Sequence, residues 1–360
     1  MKIALLGDIA LIGKYDLTNN ANAKNNLETI SKYLKSYDYV IGNLETPLTN
    51  KKKSLFCKSM HLRSSPVNVE LLKFLNISAV SLANNHTYDF GRKGLDDTIK
   101  ILKENEIDYF GVDGREIVME GFKVHGFCCY STNAVGYSKV NNSKGINTLR
   151  YEDVIKKVES DKLSNRLSIL AMHWGDEHTN YPRVDHVNLV NELRKINNIV
   201  VNGHHPHVIQ GVDISDNSIV AYSQGNFCFD DCKAISGTGM LLKQNDDNRE
   251  SFILEINIEK NKVIDHKTIG IREVNGEIVL SSVSDKLISI SQDIKDIKDV
   301  IAYQEKRKGQ FGNEEFRLKK FGKKDFKWYL KRINYYAIGA FLIAKVNSKK
   351  YEKVFSTRLK

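Results

Sequence analysis

An α/β fold is what this sequence predicts, and three observations predict it. Short apolar runs alternate with amphipathic stretches across the first 230 residues. Six of those runs end in polar residues of the kinds that bind metals or move protons. The composition, 41% hydrophobic and 27% charged over 360 residues, suits a soluble chain that buries a large core.

Taken in order, IALLGD (3–8) reads as a buried strand ending in Asp8, and NAKNNLETISKYLKS (22–36) as the helix after it. The strand DYVIGNLE (38–45) ends in Asn43 and Glu45, followed by the helical PVNVELLKFLN (66–76). ISAVSLANNH (77–86) carries Asn84, Asn85 and His86 at its exit, and KGLDDTIKILKEN (93–105) has helical spacing. FKVHGFCCY (122–130) is strand-like, and YEDVIKKVESDKL (151–163) helical. LSILAMHWG (167–175) ends in His173, and the helical RVDHVNLVNELRKIN (183–197) follows. NIVVNGHHPH (198–207) brings three histidines to one strand end, and SIVAYSQGNF (218–227) ends near Asn226.

After Asp230 the character changes. GMLLKQ (239–244), SFILEINIEK (251–260) and KVIDHKTIGIREV (262–274) read as antiparallel strands. From about residue 283 the pattern is helical and increasingly basic, reaching FKWYLKRINYYAIGAFLIAKV (326–346). The expected division is a domain over 1–280 and a basic helical region over 281–360. No internal repeat or low-complexity tract appears.

The formal charge of +10 is uneven. From Arg317 to Lys360, 11 Lys and 3 Arg face only Asp325 and Glu352, a net of +12, which leaves the rest at −2. Such a tail is a solvated helical face or a dock for an anionic polymer, an acidic lipid surface or a partner. No nucleic-acid recognition motif accompanies it. Trp328, Tyr329, Tyr335, Tyr336 and Phe341 interleave with its basic residues, as in interfacial helices or in a helical subdomain packed on the core.

The N-terminal MKIALLGD lacks the charged and apolar regions of a secretory signal, and the apolar stretch 335–346 is too short to span a membrane. The expected location is the cytoplasm, with peripheral attachment at the inner membrane face as a further expectation. Cys57, Cys128, Cys129, Cys228 and Cys232 are odd in number and scattered, unlike a disulfide framework. The C-x3-C pair at 228 and 232 reads as free thiols rather than a zinc site, and Cys128 and Cys129 as packing residues.

In α/β folds ligands bind beyond the carboxyl ends of the strands, where the polar residues fall here. His205 and His207, separated by the stiff Pro206, can reach one shared metal or two. His204 is adjacent, is expected to point elsewhere and is a spare. His173 is a ligand candidate, and Glu177 could orient a ligand or contact substrate. Asn85 is a plausible oxygen ligand for a hard cation, His86 can transfer a proton, and Asp89 or Thr87 could cap the following helix. Asp8 and Glu45 each supply a carboxylate. Such N/O ligands suit Mn²⁺, Zn²⁺, Fe or Mg²⁺, and no spacing chooses among them. The G-x-S-x-G nucleophile elbow and the Walker and Rossmann glycine patterns are absent.

With these residues assembled, the chain resembles the CapA family of capsule-synthesis or poly-γ-glutamate-synthesis proteins. The resemblance is carried by GDIALIG, IGNLETPLT, SLANNHTYDFGRKGLDDT, AMHWGDE, GHHPHVIQG and AYSQGNF, in that order over residues 1–230. That family is similar to the calcineurin-like metallophosphoesterases, which implies a four-layer αββα sandwich with a di-metal site at the strand ends. By this resemblance Asp8 and His207 serve the first metal. Asn85, His173 and His205 serve the second, and His86 is the general acid, with Asp89 and Glu177 beside the chemistry. Asn43, Asn84, His204 and Asn226 become substrate contacts. Two positions depart from the pattern: Ala10 replaces a ligand histidine, and Asn43 replaces the bridging aspartate, which leaves Glu45 as the carboxylate for one or two divalent ions.

The resemblance implies a metal-dependent hydrolase or transferase in the synthesis, release or anchoring of an anionic cell-surface polymer. Its partners would be that polymer or its precursor, the inner membrane surface or a capsule synthase. The alternatives are a non-catalytic metal- or polymer-binding scaffold and a general phosphodiesterase.

Overall fold

The computed structural model describes residues 1–54, 58, 60–138, 144–215, 217–233, 240–295, 297, 299–312 and 335–355. In chain order its strands are β1 (Lys2–Ile9), β2 (Tyr39–Leu44), β3 (Ala79–Ser81), β4 (Asp108–Phe110), β5 (Ile117–Val118) and β6 (Phe122–Cys128). Then come β7 (Leu167–His173), β8 (Ile199–His204), β9 (Val212–Ser215), β10 (Ser218–Ala221) and β11 (Asn226–Cys228). The last are β12 (Cys232–Lys233), β13 (Met240–Leu242), β14 (Glu250–Glu259), β15 (Lys262–Val274) and β16 (Glu277–Ser281). The helices are α1 (Glu28–Leu34), α2 (Val69–Phe74), α3 (Gly91–Glu104), α4 (Tyr151–Leu163), α5 (Val184–Ile196), α6 (Asp285–Lys295), α7 (Val300–Gly312) and α8 (Tyr335–Phe355).

One sheet runs β16-β15-β14-β1-β2-β3-β4, with β11 also paired to β1; the other runs β5-β6-β7-β8-β10-β9. Strands β1 to β4 are parallel, as are β6, β7, β8 and β10, so their carboxyl ends gather at one end of each sheet. Alternation along the strands builds the layers. Ile3, Leu5, Ile41 and Leu254 face Val124, Ile169, Val200 and Ala221 between the sheets. Ala4, Leu6, Val40 and Val80 turn outward onto Ile30, Leu34, Leu71 and Leu95 of α1, α2 and α3. Leu170, Met172, Val201 and Val220 turn outward onto Val158, Leu189, Leu193 and Ile290 of α4, α5 and α6. The result is a four-layer αββα sandwich. Strands covered on both faces must be apolar throughout, which is why they read as continuous runs.

Packing decides the helices as well. Val187, Leu189, Val190 and Leu193 of α5 are buried. Each contributes roughly 1.5–3 kcal/mol, which outweighs the weak helix propensity of valine, below about 1 kcal/mol per residue.

The segment 218–227, read as one strand, is two. β10 lies in the second sheet and β11 in the first. Gly225 turns the chain between them at φ +78°, a conformation open to glycine. The crossing pairs Asn226 with Asp8. Likewise 77–86 is strand only over Ala79–Ser81, because its polar end spends its hydrogen bonds on the site.

At the C-terminal side, α6 docks through Leu287, Ile290 and Ile294, and α7 packs on the loop after β7. There the Tyr303 hydroxyl donates to the Pro182 carbonyl at 2.9 Å, and Arg307 pairs with Asp176. Tyr351 of α8 packs edge-on against Tyr137 with ring centres 5.0 Å apart. The interfacial reading of Trp328 and Tyr329 and the thiol of Cys57 lie outside the described residues. Among the described residues, no helix is long and apolar enough to cross a membrane. Cys228 and Cys232 are buried free thiols whose pKa burial pushes up.

Candidate metal centre

The strand ends deliver the polar residues into one buried cluster. Asp8 (β1), Asn43 (β2), Glu45 just beyond β2, His173 (β7) and His204 (β8) are all 1% exposed or less. His205 and His207 follow on the loop after β8 at φ +95° and +58°. A non-glycine residue rarely holds such angles, and backbone strain of this kind gathers at functional sites. Gly203 is forced by proximity, because a Cβ there would lie 2.0 Å from the Tyr222 carbonyl oxygen.

Candidate ligand atoms of Asp8, Glu45 and His207 all lie within 4.8 Å of one another, the one such group found among the described residues. The His207 ring is 3.4 Å from Asp8 Oδ2 through Nδ1 and 3.9 Å from Glu45 Oε2 through Nε2. The same Nδ1 is 2.9 Å from Asn226 Oδ1. His173 sits on the other side of Glu45, with Nδ1 3.7 Å from Oε1, and its Nε2 meets Asn85 Oδ1 at 3.1 Å. The rings of His173 and His205 are 4.7 Å apart, and those of His205 and His207 5.9 Å. Asn43 donates to Asp8 Oδ1 at 2.8 Å and to Glu45 Oε1 at 3.4 Å, and so clamps the two carboxylates.

The electrostatics follow from burial. Desolvation alone would raise Asp8, but His204 and His207 outweigh it and hold the carboxylate well below its usual range. Burial, then the charge of Asp8, pushes Glu45 well above its usual range. Burial would lower His207, yet Glu45 and Asp8 together raise it to about 10. Burial pushes His205 down to about 4 and His173 well below its usual value. Two carboxylates buried together therefore demand positive charge, which His207 supplies, while His173 and His205 stand beside them as neutral imidazoles.

That donor set fits a divalent ion. Glu45 Oε2 and His205 Nδ1 are buried polar atoms with no hydrogen-bond partner, which is costly unless something accepts their lone pairs. His204 Nδ1 lies 3.1 Å from Asp8 Oδ1, but the angle makes no hydrogen bond and both ring nitrogens lack one.

A second cluster adjoins the first through Asn85. His86 Nδ1 is 2.7 Å from Asp89 Oδ2, and the Lys58 ammonium donates to Asp89 Oδ1 at 2.9 Å and to the Asn85 carbonyl at 2.6 Å. All three side chains are buried. Burial would raise Asp89, but the charge of Lys58 keeps it low and ionised. An ionised Asp89 only accepts, so His86 carries its proton on Nδ1 and leaves Nε2 as a base. Burial, then Lys58, lowers His86 to about 4.

The structure thus brings together Asp8, Asn43, Glu45, Asn85, His173, His204, His205, His207 and Asn226. Asn84 lies behind them, donating to Asn43 Oδ1 at 3.2 Å and to the Leu44 carbonyl at 2.8 Å while accepting from the His86 backbone. Glu177 is exposed at the rim, close enough for its charge to act on Glu45, His205 and His207. Sequence reasoning missed Lys58, which sits in an aperiodic basic loop that offers no signal of burial. It also missed Asn248, whose amide donates to the His207 carbonyl at 2.9 Å.

A four-layer αββα protein with a buried carboxylate–histidine centre at its strand ends is the class that fold and site define. The sequence model of the bacterial capsule synthesis protein PGA_cap matches residues 2–231, and the chain belongs to that family. It is 32% identical over 247 residues to the capsule biosynthesis protein CapA of Bacillus anthracis, covering 64% of this chain and 60% of that one. It is 27% identical over 249 residues to the PGA biosynthesis protein CapA of Bacillus subtilis strain 168, covering 64% and 63%. The matches thus span under two thirds of those relatives' length. Among solved structures, a hypothetical protein from Thermus thermophilus superposes with a TM-score of 0.43 at 12% identity, covering 76% of this chain and all of that one.

Proposed function

We propose that the chain is a metal-dependent hydrolase or transferase acting on an anionic cell-surface polymer, poly-γ-glutamate or a capsular polysaccharide, or on its precursor. One observation carries the reading. The ligand atoms of Asp8, Glu45 and His207 converge within 4.8 Å at buried strand ends, with unpartnered lone pairs beside them.

Asp8, Glu45, Asn85, His173, His205 and His207 would hold one or two divalent ions. When bound, such an ion lowers the pKa of a coordinated water and polarises a phosphoryl or acyl oxygen. Asn43 keeps Asp8 and Glu45 aligned, and the strained loop after β8 fixes His205 and His207. His86, neutral with its proton on Nδ1, takes a proton at Nε2 and returns it to the leaving group. Asp89 and Lys58 hold its ring and tautomer. Residues 1–280 form the working unit in this reading, and 281–360 a basic helical region that attaches it to a synthase or to the inner membrane face.

The replacement of a bridging carboxylate by Asn43 favours a second reading, a scaffold that binds metal or polymer without turnover. Metal content per chain, measured by elemental analysis for the wild type and for His205→Ala with His207→Ala, tests the first. One or two ions per chain, lost in the variant, is the expected result. No metal after reconstitution with Mn²⁺ and Zn²⁺ refutes the mechanism. Metal without cleavage of γ-linked glutamate polymer, capsular polysaccharide or a chromogenic phosphodiester leaves the scaffold.

A further inference from the structure

The loop between β7 and α5, residues 174–183, follows directly on His173 and has no regular secondary structure. It is buried nonetheless, with Trp174, His178, Thr179 and Asn180 each 4% exposed or less. A buried irregular loop must find partners for its backbone polar groups outside itself. Helix α7 supplies them. The Asn180 N–H donates to Gln310 Oε1 at 3.0 Å, Arg307 Nε to the Tyr181 carbonyl at 3.2 Å, and the Tyr303 hydroxyl to the Pro182 carbonyl at 2.9 Å. Arg307 also pairs with Asp176. Tyr303, Arg307 and Gln310 stand at i, i+4 and i+7, one stripe of the helix. Tyr303 is buried there, while Val300 and Ile301 are 44% and 71% exposed. A docking helix ordinarily turns its apolar residues inward. This one is seated by directed hydrogen bonds, which add little net stability but fix geometry.

The far side of the same loop grips the segment after β8. The His178 N–H donates to the Pro206 carbonyl at 2.7 Å, Gln210 Nε2 to the Thr179 carbonyl at 2.7 Å, and Asn180 Nδ2 to the Ile209 carbonyl at 2.9 Å. Asn248 lies between His178 Nδ1 at 3.0 Å and the His207 carbonyl at 2.9 Å. Asn180 is thus bound on both sides, its backbone to α7 and its side chain to the ligand loop. His205 and His207 hold φ values of +95° and +58° in the gripped segment. Such angles persist only where the surroundings over-determine them.

We propose that α7 clamps the metal centre, with Arg307 and Gln310 as positioning residues that hold the β7 loop and, through His178 and Asn180, the backbone at His205 and His207. Both residues lie well beyond the family match, which ends at residue 231. This inference rests on the metal reading above and extends its working unit from residue 280 to residue 312.

The test is hydrogen exchange on the full metal-free chain, read by mass spectrometry, with Mn²⁺ affinity measured on the same proteins. Arg307→Ala with Gln310→Leu should speed exchange roughly tenfold at residues 205–211 as well as at 176–183, the loss of one or two ordinary hydrogen bonds. Residues 66–76, on the other sheet, should keep their wild-type rates, which a general loss of stability would not allow. Mn²⁺ affinity should fall roughly tenfold in the double variant. Gln310→Leu alone should show the same pattern at roughly threefold. Gln310→Glu, which keeps the acceptor, and Lys308→Ala, an exposed charge on the same helix, should stay within about twofold of wild type. Faster exchange confined to 176–183 overturns the proposal and leaves α7 a local cover. Unchanged Mn²⁺ affinity in the double variant, where the wild type binds the ion, overturns it as well. A wild type that binds no Mn²⁺ strikes the metal reading alone, and the exchange at 205–211 then decides whether α7 holds that backbone.

Discussion

Lys58→Met removes one cation from the interior and should be costly. The ammonium lies 2.9 Å from Asp89 Oδ1 and 2.6 Å from the Asn85 carbonyl, and its side chain is 5% exposed. Methionine fills the volume but leaves the Asp89 carboxylate buried with only His86 and the Leu62 N–H for partners. Removing one member of a buried ion pair costs roughly 3–5 kcal/mol. For a cooperative unit of this size, each kcal/mol moves the melting temperature by about 1.5 °C, so a fall of roughly 4–8 °C follows. Asp89→Asn in the same chain takes away the stranded charge and should recover at least a third of the loss. The assay is a double-mutant cycle by denaturant unfolding, with thermal melts alongside. A single-variant loss below about 1 kcal/mol, or strict additivity in the cycle, would refute the claim that the pair is coupled.

Three effects elsewhere can be checked in parallel. His125 is buried between Asp161, 2.7 Å from Nε2, and Glu116, 3.3 Å from Nδ1. Burial would lower its pKa, but the two acids raise it above 6.5, while His125 and Lys157 hold Glu116 below 4.5. The histidine's contribution is complete below 6.5 and lost as pH rises through its raised value; that of Glu116 is present above 4.5 and lost on acidification. The stability gap between wild type and His125→Gln, measured by denaturant unfolding, should therefore be widest between pH 4.5 and 6.5, at roughly 3 kcal/mol. A gap constant from pH 5 to pH 9 counts against this. Gly203→Ala drives a Cβ into the Tyr222 carbonyl, which splays β8 from β10 and should cost about 3 kcal/mol or more; a melt within about 2 °C of wild type would be the contrary result. Adding Mn²⁺ to chelator-treated protein at about 100 times its dissociation constant should stabilise the fold by about 2.7 kcal/mol, and no shift would mean that no ion binds the folded state alone.

Much of the architecture was legible in the chain. A strand covered on both faces must stay apolar until it leaves the sheet, so IALLGD, LSILAMHWG and NIVVNGHHPH announced both their burial and the polar residues at their exits. Helix α4 falls on 151–163, the span its periodicity marked, because a two-sided helix records its buried stripe in its spacing. The short strands β4, β5, β9 and β16 left little trace, since a few residues of backbone pairing need no apolar pattern of their own.

What the sequence by itself determined is the kind of residue found at each strand end and the alternation of strands and helices that carries them. What only the tertiary structure decided is which of those residues meet. Asn226 reaches Asp8 and His207 because the chain crosses from one sheet to the other at Gly225, a step set by long-range pairing. Lys58 comes from a loop without periodicity, and only the buried charge of Asp89 draws it inside. Local pattern records what each side chain must avoid or seek in water; the charges it will face depend on segments far away in the chain, and those are brought near only when the two sheets pack.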